Sequence, residues 1–225
     1  QMKTTFDPAL APIDAFASES PVDASRLTPE WLRSRFRQPA DWTPEFPDEH
    51  RLRDTSRTPV PASVLVPLVV RDDALSLLLT QRTAHLHDHA GQISFPGGRI
   101  EESDASPEDA AFRETEEEIG LARSHVEVLG TLGEYVTVTA YRVTPVVGLV
   151  RPGFELAPNP QEVADVFEVP LAFLMNPANH RRHQLEAEGV VRQWFSMPYQ
   201  DGAQQRFIWG ATAGMLRNFY RFLMA

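Results

Sequence analysis

Three glutamates near the middle of the chain have the residue type and the spacing of a cation site. Glu114, Glu117 and Glu118 lie in the stretch FRETEEEIGL. At about 100° per residue, they would fall within roughly a third of the circumference of a helix. Like charges at this spacing destabilise a helix, and the helix macrodipole disfavours anions near its C-terminus. A divalent cation held by carboxylate oxygens would remove both costs, whereas the alternative is an acidic face in solvent.

The helix that must carry these glutamates has clear ends in the sequence. Ser106 is a good N-cap and Pro107 suits the first turn, while Gly120 favours termination. Three residues at spacings i, i+3 and i+7 predict the face that packs on the core: Phe112, Thr115 and Ile119.

A pair of glycines precedes the helix in the motif FPGG, which spans residues 95–98. Glycine has no Cβ, so it allows the backbone to approach closely, and a free carbonyl there could complete the coordination of a cation. The glycines therefore favour a metal site over a solvated acidic face.

This loop and helix resemble the Nudix box, the signature of hydrolases that split nucleoside diphosphates linked to another group. The matching residues are Gly98, Arg113, Glu114, Glu117, Glu118, Gly120 and Leu121. The resemblance implies that Glu114, Glu117 and Glu118, with the carbonyl of Gly98, hold Mg²⁺ or Mn²⁺, and that Arg113 orients the glutamates by ion pairing.

Two points about the box stay open. Asp104 stands where the box has a glutamate, and the stretch from there to Arg113 is one residue longer than usual, so the role of Asp104 is undecided. The general base would be one of the glutamates of the box or Glu162, which lies in NPQEVADVF, where Nudix enzymes often place an extra acid. An exposed loop charge is the equally plausible interpretation of Glu162.

The segment before the glycines, LLTQRTAHLHDHAGQISFPGG, resembles the signature of the coenzyme A pyrophosphatase branch of the Nudix family. The matching residues are Leu78, Leu79, Thr80, Arg82, Gly91, Phe95, Pro96, Gly97 and Gly98. The residues that this resemblance assigns to substrate binding are Arg82, His87, Gly91, Phe95 and Gly97. Thr83 and His87 depart from the pattern, and the residue type of Phe95 taken alone favours the core.

Arg82 and the neighbouring histidines can each be interpreted in two ways. Arg82 is a planar, permanently charged fork suited to phosphate, and we expect it to bind the 3′-phosphate of coenzyme A, although a surface ion pair is the alternative. His85, His87 and His89 alternate along a loop, but without cysteine or a well-spaced fourth ligand we favour solvated or substrate-contacting histidines over zinc ligands.

Composition narrows the class of protein. The chain has 225 residues, no cysteine and a formal net charge of −10, so nothing indicates nucleic-acid binding. Its longest apolar run, SVLVPLVV, is too short to cross a membrane. Because no export signal or peroxisomal address is evident, we expect a cytoplasmic protein. A homodimer is left open by the sequence.

The pattern along the chain divides it into an extension and a catalytic domain. Residues 1–60 are rich in Pro, Asp, Ser and Thr, and within them Thr28 and Pro29 predict the start of one helix. Residues 61–225 alternate strand-like and helix-like runs, with a hairpin at RDDA and a closing helix at WGATAGMLRNFYRFL. We predict an α/β protein with the Nudix fold, an α/β/α sandwich with a mixed β-sheet.

The resemblance implies metal-dependent hydrolysis of the pyrophosphate of coenzyme A or its thioesters. The products would be 4′-phosphopantetheine, or its acyl form, and adenosine 3′,5′-bisphosphate. Two alternatives remain: hydrolysis of another dinucleotide such as NADH or ADP-ribose, and a non-catalytic Nudix-fold sensor of nucleotides. The complete set of glutamates argues against the sensor, because binding alone does not need a full apparatus for a metal and a water.

Overall fold

The computed structural model describes residues 7–45, 56–85 and 91–225. Its strands are β1 (Ile13–Phe16), β2 (Val60–Val70), β3 (Leu75–Arg82), β4 (Ile93–Ser94), β5 (Gly97–Arg99), β6 (Val126–Thr131), β7 (Tyr135–Val136), β8 (Tyr141–Val150), β9 (Val163–Pro170), β10 (Arg181–Ala187), β11 (Val190–Asp201) and β12 (Gln204–Trp209). Its α-helices are α1 (Pro29–Arg37), α2 (Pro107–Ile119), α3 (Leu171–Leu174) and α4 (Gly210–Met224).

The larger sheet is mixed, as the sequence predicts. Its strands run in the order β4-β3-β2-β8-β6, with β9 added to β3, β5 to β2 and β7 to β8. The central pair, β2 and β8, is parallel, whereas the other pairs are antiparallel. The predicted hairpin at RDDA joins β2 to β3, where Val70 pairs with Leu75.

Both faces of the larger sheet are buried, and the strand period of two divides their side chains. On β3, Leu77 and Leu79 pack on the side that also holds α4, whereas Leu78 packs on the side that holds α2. On β8, Val147 and Val146 divide in the same way. The sheet therefore lies between two layers, which confirms the predicted sandwich of helices and a mixed sheet.

The acidic helix α2 begins and ends where the sequence predicts. The hydroxyl of Ser106 accepts the N–H of Asp109 at 3.1 Å, and Pro107 occupies the first turn. Gly120 ends the helix in the left-handed conformation, with a φ of 71°. The residues of the predicted core-facing stripe are all buried: Phe112, Thr115 and Ile119.

The smaller sheet has the order β1-β10-β11-β12 and packs with α4 on the side of the larger sheet opposite α2. Its strand β1 comes from the N-terminal segment, as does the predicted helix α1, where the hydroxyl of Thr28 accepts the N–H of Trp31. Val22 and Leu32 of this segment are buried in the same core as α4. The N-terminal segment therefore shares a core with the domain that follows, and the predicted boundary at residue 60 stays a prediction.

Within the described residues, no helix combines the length and the apolar character that a membrane crossing requires.

Candidate active site

Arg113 on α2 is held by a carboxylate from the loop before the helix. Its Nε and Nη2 donate to the two oxygens of Asp104, each at 2.9 Å, and Nη2 also donates to the carbonyl of Arg99 at 3.1 Å. The Asp104 side chain is 5% exposed and also accepts the N–H of Glu101. The hydrogen bonds from Arg113 hold the pKa of Asp104 down at about 2.

The same guanidinium reaches two of the predicted metal ligands. Nη1 of Arg113 donates to Oε1 of Glu114 at 3.0 Å and lies 3.5 Å from Oε2 of Glu117. Arg113 is therefore ion-paired with both glutamates, and the role that the resemblance implies for it, orienting them as metal ligands, stays a prediction. Glu114 is 19% exposed along its side chain whereas Glu117 is 59% exposed, so only the first lies in a partly dehydrated place.

Of the glutamates in this cluster, Glu118 is the one whose ionised form is most disfavoured. Burial, together with the nearby carboxylates of Glu114 and Glu162, raises the pKa of Glu118 to about 8. The N–H of Gly97, which donates to the Glu118 carboxylate, and the charge of Arg82 oppose this rise only in part. Burial also raises the pKa of Glu114 despite its bond to Arg113.

The two glycines of FPGG make close contacts. A Cβ placed on Gly98 would lie 2.6 Å from Cδ of Glu114, so a larger residue there would displace that carboxylate. A Cβ on Gly97 would lie 2.3 Å from the carbonyl oxygen of Ser63, because β5 is laid against β2 at this point. The motif therefore sets backbone groups beside Glu114 and Glu118.

Two further predicted residues come to α2 from the ends of β3 and β9. Arg82 and Glu162 both contribute electrostatically to the pKa of Glu118. The backbone joins these strand ends, since the N–H of Thr83 donates to the carbonyl of Glu162 at 3.1 Å. Glu162 is exposed, whereas Nε of Arg82 is buried and has no hydrogen-bond partner among the residues that the structure describes. Arg82 is therefore a cation with a donor still to satisfy.

The donor set suits a hard divalent cation. Carboxylate oxygens are what Mg²⁺ and Mn²⁺ prefer, and a nearby cation would stabilise the Glu118 carboxylate, whose pKa is raised first by burial and second by the neighbouring carboxylates. Over the residues described here, no three His, Asp or Glu side chains are yet gathered closely enough to hold an ion, and Glu114 and Glu117 converge on Arg113 instead. The assignment of Glu114, Glu117, Glu118 and Gly98 as metal ligands stays a prediction.

The remaining substrate-binding predictions meet different outcomes. Phe95 is 4% exposed within the main core, so its ring supports the FPGG loop and offers no face to a substrate, as its residue type favoured. Gly91 has a φ of 71°, which explains the glycine by backbone conformation. His87 and His89 lie outside the described residues, and His85 is exposed.

The role of Asp104 is what the sequence left undecided. A turn, in which the N–H of Asp104 donates to the carbonyl of Glu101 at 3.0 Å, brings Asp104 to Arg113, and the aspartate binds the guanidinium with both oxygens. The spacing of six residues after Gly98 was the signal that pointed to it.

The fold and this loop–helix site agree with the comparison to known families, in which the NUDIX domain family matches residues 59–198. The chain belongs to the Nudix family. With this fold and its arginine-held glutamates, it is a Nudix hydrolase that cleaves a pyrophosphate bond in a small nucleotide-type substrate. Members of this family generally use divalent metal ions.

Among curated proteins, the chain is 43% identical over 158 residues to the "Uncharacterized Nudix hydrolase NudL" of Escherichia coli, a match that covers 70% of this chain and 79% of that protein. Among solved structures, a MutT/nudix family protein from Enterococcus faecalis gives a TM-score of 0.48 at 17% identity, covering 88% of this chain and 75% of that one. The Nudix hydrolase RenU from M. smegmatis gives 0.43 at 23% identity, covering 51% and 73%.

Proposed function

We propose that this hydrolase cleaves the pyrophosphate of coenzyme A or its thioesters. Water adds to one phosphorus and the bond to the bridging oxygen breaks, which gives 4′-phosphopantetheine, or its acyl form, and adenosine 3′,5′-bisphosphate. The proposal is supported by the segment from Leu78 to Gly98, whose resemblance to the coenzyme A pyrophosphatase branch coincides with the ends of β3 and β5 beside α2.

The single structural observation that supports cleavage of a diphosphate is the position of Arg82, whereas the choice of coenzyme A rests on the resemblance of the segment from Leu78 to Gly98. In a chain with a net charge of −10, a substrate with several phosphates needs a specific cation. Arg82 lies close enough to Glu118 to affect its pKa, and its buried Nε has no hydrogen-bond partner among the described residues. Because Arg82 acts on the glutamate cluster, we assign it to the diphosphate and no longer to the 3′-phosphate expected from sequence.

The other roles follow from the contacts around α2. Glu114, Glu117, Glu118 and the Gly98 carbonyl would hold Mg²⁺ or Mn²⁺, and Arg113 keeps the first two in place. With such an ion bound, the site would offset phosphate charge and make the attacking water more acidic. Glu162 is our candidate for the general base, because it is exposed near Glu118 while Glu114 and Glu117 are engaged by Arg113.

A substrate panel tests the proposal. The protein would be incubated with Mg²⁺ or Mn²⁺ and, separately, coenzyme A, acetyl-coenzyme A, NADH and ADP-ribose, and the products would be separated by chromatography. We expect the highest kcat/KM on coenzyme A or its thioester, with adenosine 3′,5′-bisphosphate as a product. A higher kcat/KM on NADH or ADP-ribose would replace coenzyme A by that dinucleotide.

The role of Arg82 is tested by comparing coenzyme A with 3′-dephospho-coenzyme A. A charge-assisted contact contributes about 1.5–3 kcal/mol, so Arg82→Ala should lower kcat/KM by roughly ten- to a hundredfold. Because both substrates contain the diphosphate, we expect the same loss on each. A loss confined to coenzyme A would return Arg82 to the 3′-phosphate.

A further inference from the structure

Arg206, a buried arginine on β12, bonds to both strands that bring Arg82 and Glu162 to α2. Its Nη1 donates to Oε1 of Gln81 on β3 at 2.7 Å, and its Nη2 donates to Oδ2 of Asp165 on β9 at 2.5 Å. Its side chain is only 5% exposed. Arg206 therefore joins the smaller sheet to the ends of two strands of the larger one.

The bonds fall at an irregularity in the strand pairing. Gln81 pairs with Asp165, but the next residue, Arg82, pairs with Val163, so β9 has one extra residue between these two pairs. Such a bulge redirects side chains and recurs beside active sites. In a regular strand, Val163 and Phe167 would share a face, because they are an even number of residues apart. The bulge instead places Val163 on the α2 side of the sheet while Phe167 packs on the opposite side. The bulge thus determines what β9 presents to α2.

The alternation of β3 gives Gln81 and Arg82 opposite faces. Gln81 shares its face with Leu77 and Leu79, on the side of α4 and β12, whereas Arg82 shares its face with Leu78, on the side of α2. A side chain that fixes Gln81 from one face consequently fixes the direction in which Arg82 leaves the other.

We propose that Arg206 is a positioning residue, which holds the bulged ends of β3 and β9 and thereby aims Arg82 at the glutamate cluster. The inference rests on the proposed role of Arg82 at the diphosphate and deepens it. Arg206 does not touch the reacting atoms; it acts through Gln81 and Asp165.

The chain offers a matched pair of variants. In Arg206→Met, the apolar stem still packs on Phe167, whose ring centroid lies 4.2 Å from the guanidinium carbon. The freed acceptors are Asp165 and also Asp201, to which Nε of Arg206 donates at 3.0 Å, and both reach water because these side chains are 48% and 36% exposed. The control is Arg71→Met. Arg71 makes a two-pronged bond to Glu168 on the same strand β9, further from the bulge.

The first readout is amide hydrogen exchange at Arg82 and Thr83, which does not depend on activity. The N–H of Arg82 donates to the Gln92 carbonyl and that of Thr83 to the Glu162 carbonyl, and both bonds lie at the strand ends that Arg206 holds. We expect Arg206→Met to accelerate exchange at both amides by roughly tenfold or more while Arg71→Met leaves them unchanged. Equal exchange in the two variants would overturn the proposal.

The second readout is a kinetic cycle with Arg82→Ala, measured on whichever diphosphate the wild-type protein hydrolyses fastest. Arg206→Met should lower kcat/KM about tenfold or more in the wild-type background but less than about twofold when Arg82 is already alanine, because its effect passes through that side chain. Arg206→Lys should recover part of the loss. An identical loss in both backgrounds would show a merely structural role, whereas failure of the coenzyme A proposal would only change the substrate used.

Discussion

Two arginine-centred clusters lie on opposite sides of the larger sheet, and their charge balance differs. At α4, Arg217 and Arg221 face Glu19 and Glu45, so two cations meet two anions, and Arg217 is only 1% exposed. At α2, Arg113 meets four carboxylates within 4 Å, those of Glu101, Asp104, Glu114 and Glu117, with Glu118 and Glu162 nearby.

The two clusters differ in how fully their charges are paired. We call the α4 cluster closed, because each of its charges has a partner of opposite sign among the described residues and Nη1 of Arg217 also donates to Nδ1 of His180 at 3.0 Å, although Oε2 of Glu19 has no hydrogen-bond partner there. In the α2 cluster, four carboxylates surround Arg113 among the described residues, and burial together with the carboxylates of Glu114 and Glu162 raises the pKa of Glu118. Under the proposed function, a bound cation would complete the charge balance of the α2 cluster.

The largest expected effect follows from removing a carboxylate charge from the α2 cluster. Glu118→Gln deletes a predicted ligand charge and little volume, so kcat at saturating Mg²⁺ should fall by more than the roughly 10–100-fold that loss of an outer-shell partner costs, while the melting temperature is maintained or rises. Glu116→Gln is the control, since Glu116 lies exposed on the same helix. Near-normal turnover of the Glu118 variant would remove it from the metal site.

Removing a charge from the closed α4 cluster should change the stability of the protein instead of its turnover. Arg217→Met leaves Glu19 and Glu45 without their buried partner, and we expect unfolding in urea to require about 3 kcal/mol less. Arg221→Met is the matched control, because Arg221 bonds the same two glutamates but is 37% exposed, so its loss should cost at most about 1 kcal/mol. Equal losses would mean that burial does not distinguish the two arginines.

A smaller effect is expected at Asp104, which binds Arg113 of the α2 cluster. Asp104→Asn removes the charge that binds Arg113 with two oxygens and should lower kcat/KM by about tenfold, at the low end for an outer-shell partner. Asp109→Asn, on α2, breaks an exposed pair with Arg123, which follows the helix, and should change kcat/KM by less than twofold. Indistinguishable kinetics for the two variants would leave Asp104 without a role in the site.

The smallest effect is a dependence of stability on pH through the closed cluster. Burial, with the charge of Arg217 adding to it against Glu19 and Glu45, lowers the pKa of His180 to about 4 from its usual 6.5. The stability that neutral His180 contributes is complete above about pH 6.5 and is lost as the pH falls toward 4. Between pH 7 and 5.5, wild type should lose about 1 kcal/mol more than His180→Gln, in paired urea titrations. Parallel curves would exclude His180 as the source.

Short-range features were predictable from the sequence and long-range ones were not. The caps of α2 at Ser106 and Gly120, and the hairpin after Val70, depend on neighbouring residues, so local chemistry fixes them. The packing of the N-terminal segment was missed, since Glu19 meets Arg217 across 198 positions and no local pattern encodes that pairing.

In the candidate site too, short-range features were predictable from the sequence and long-range ones were not. The glutamates and Arg113 share one helix, so their spacing carried the prediction, and Asp104 was indicated by its distance from Gly98. Arg206 left no signal, because its bond to Gln81 spans 125 positions and depends on how the two sheets meet.

The bonds between the N-terminal segment and α4 also constrain the order of folding. Arg26 donates to the carbonyl of Leu223, and Tyr220 donates to that of Ser20, across separations of 197 and 200 positions. During synthesis, the earliest of these residues leave the ribosome long before their partners exist. The N-terminal segment therefore stays unpacked until α4 has emerged. Its docking closes a very long loop, which is slow, and would be the last step in forming the native fold.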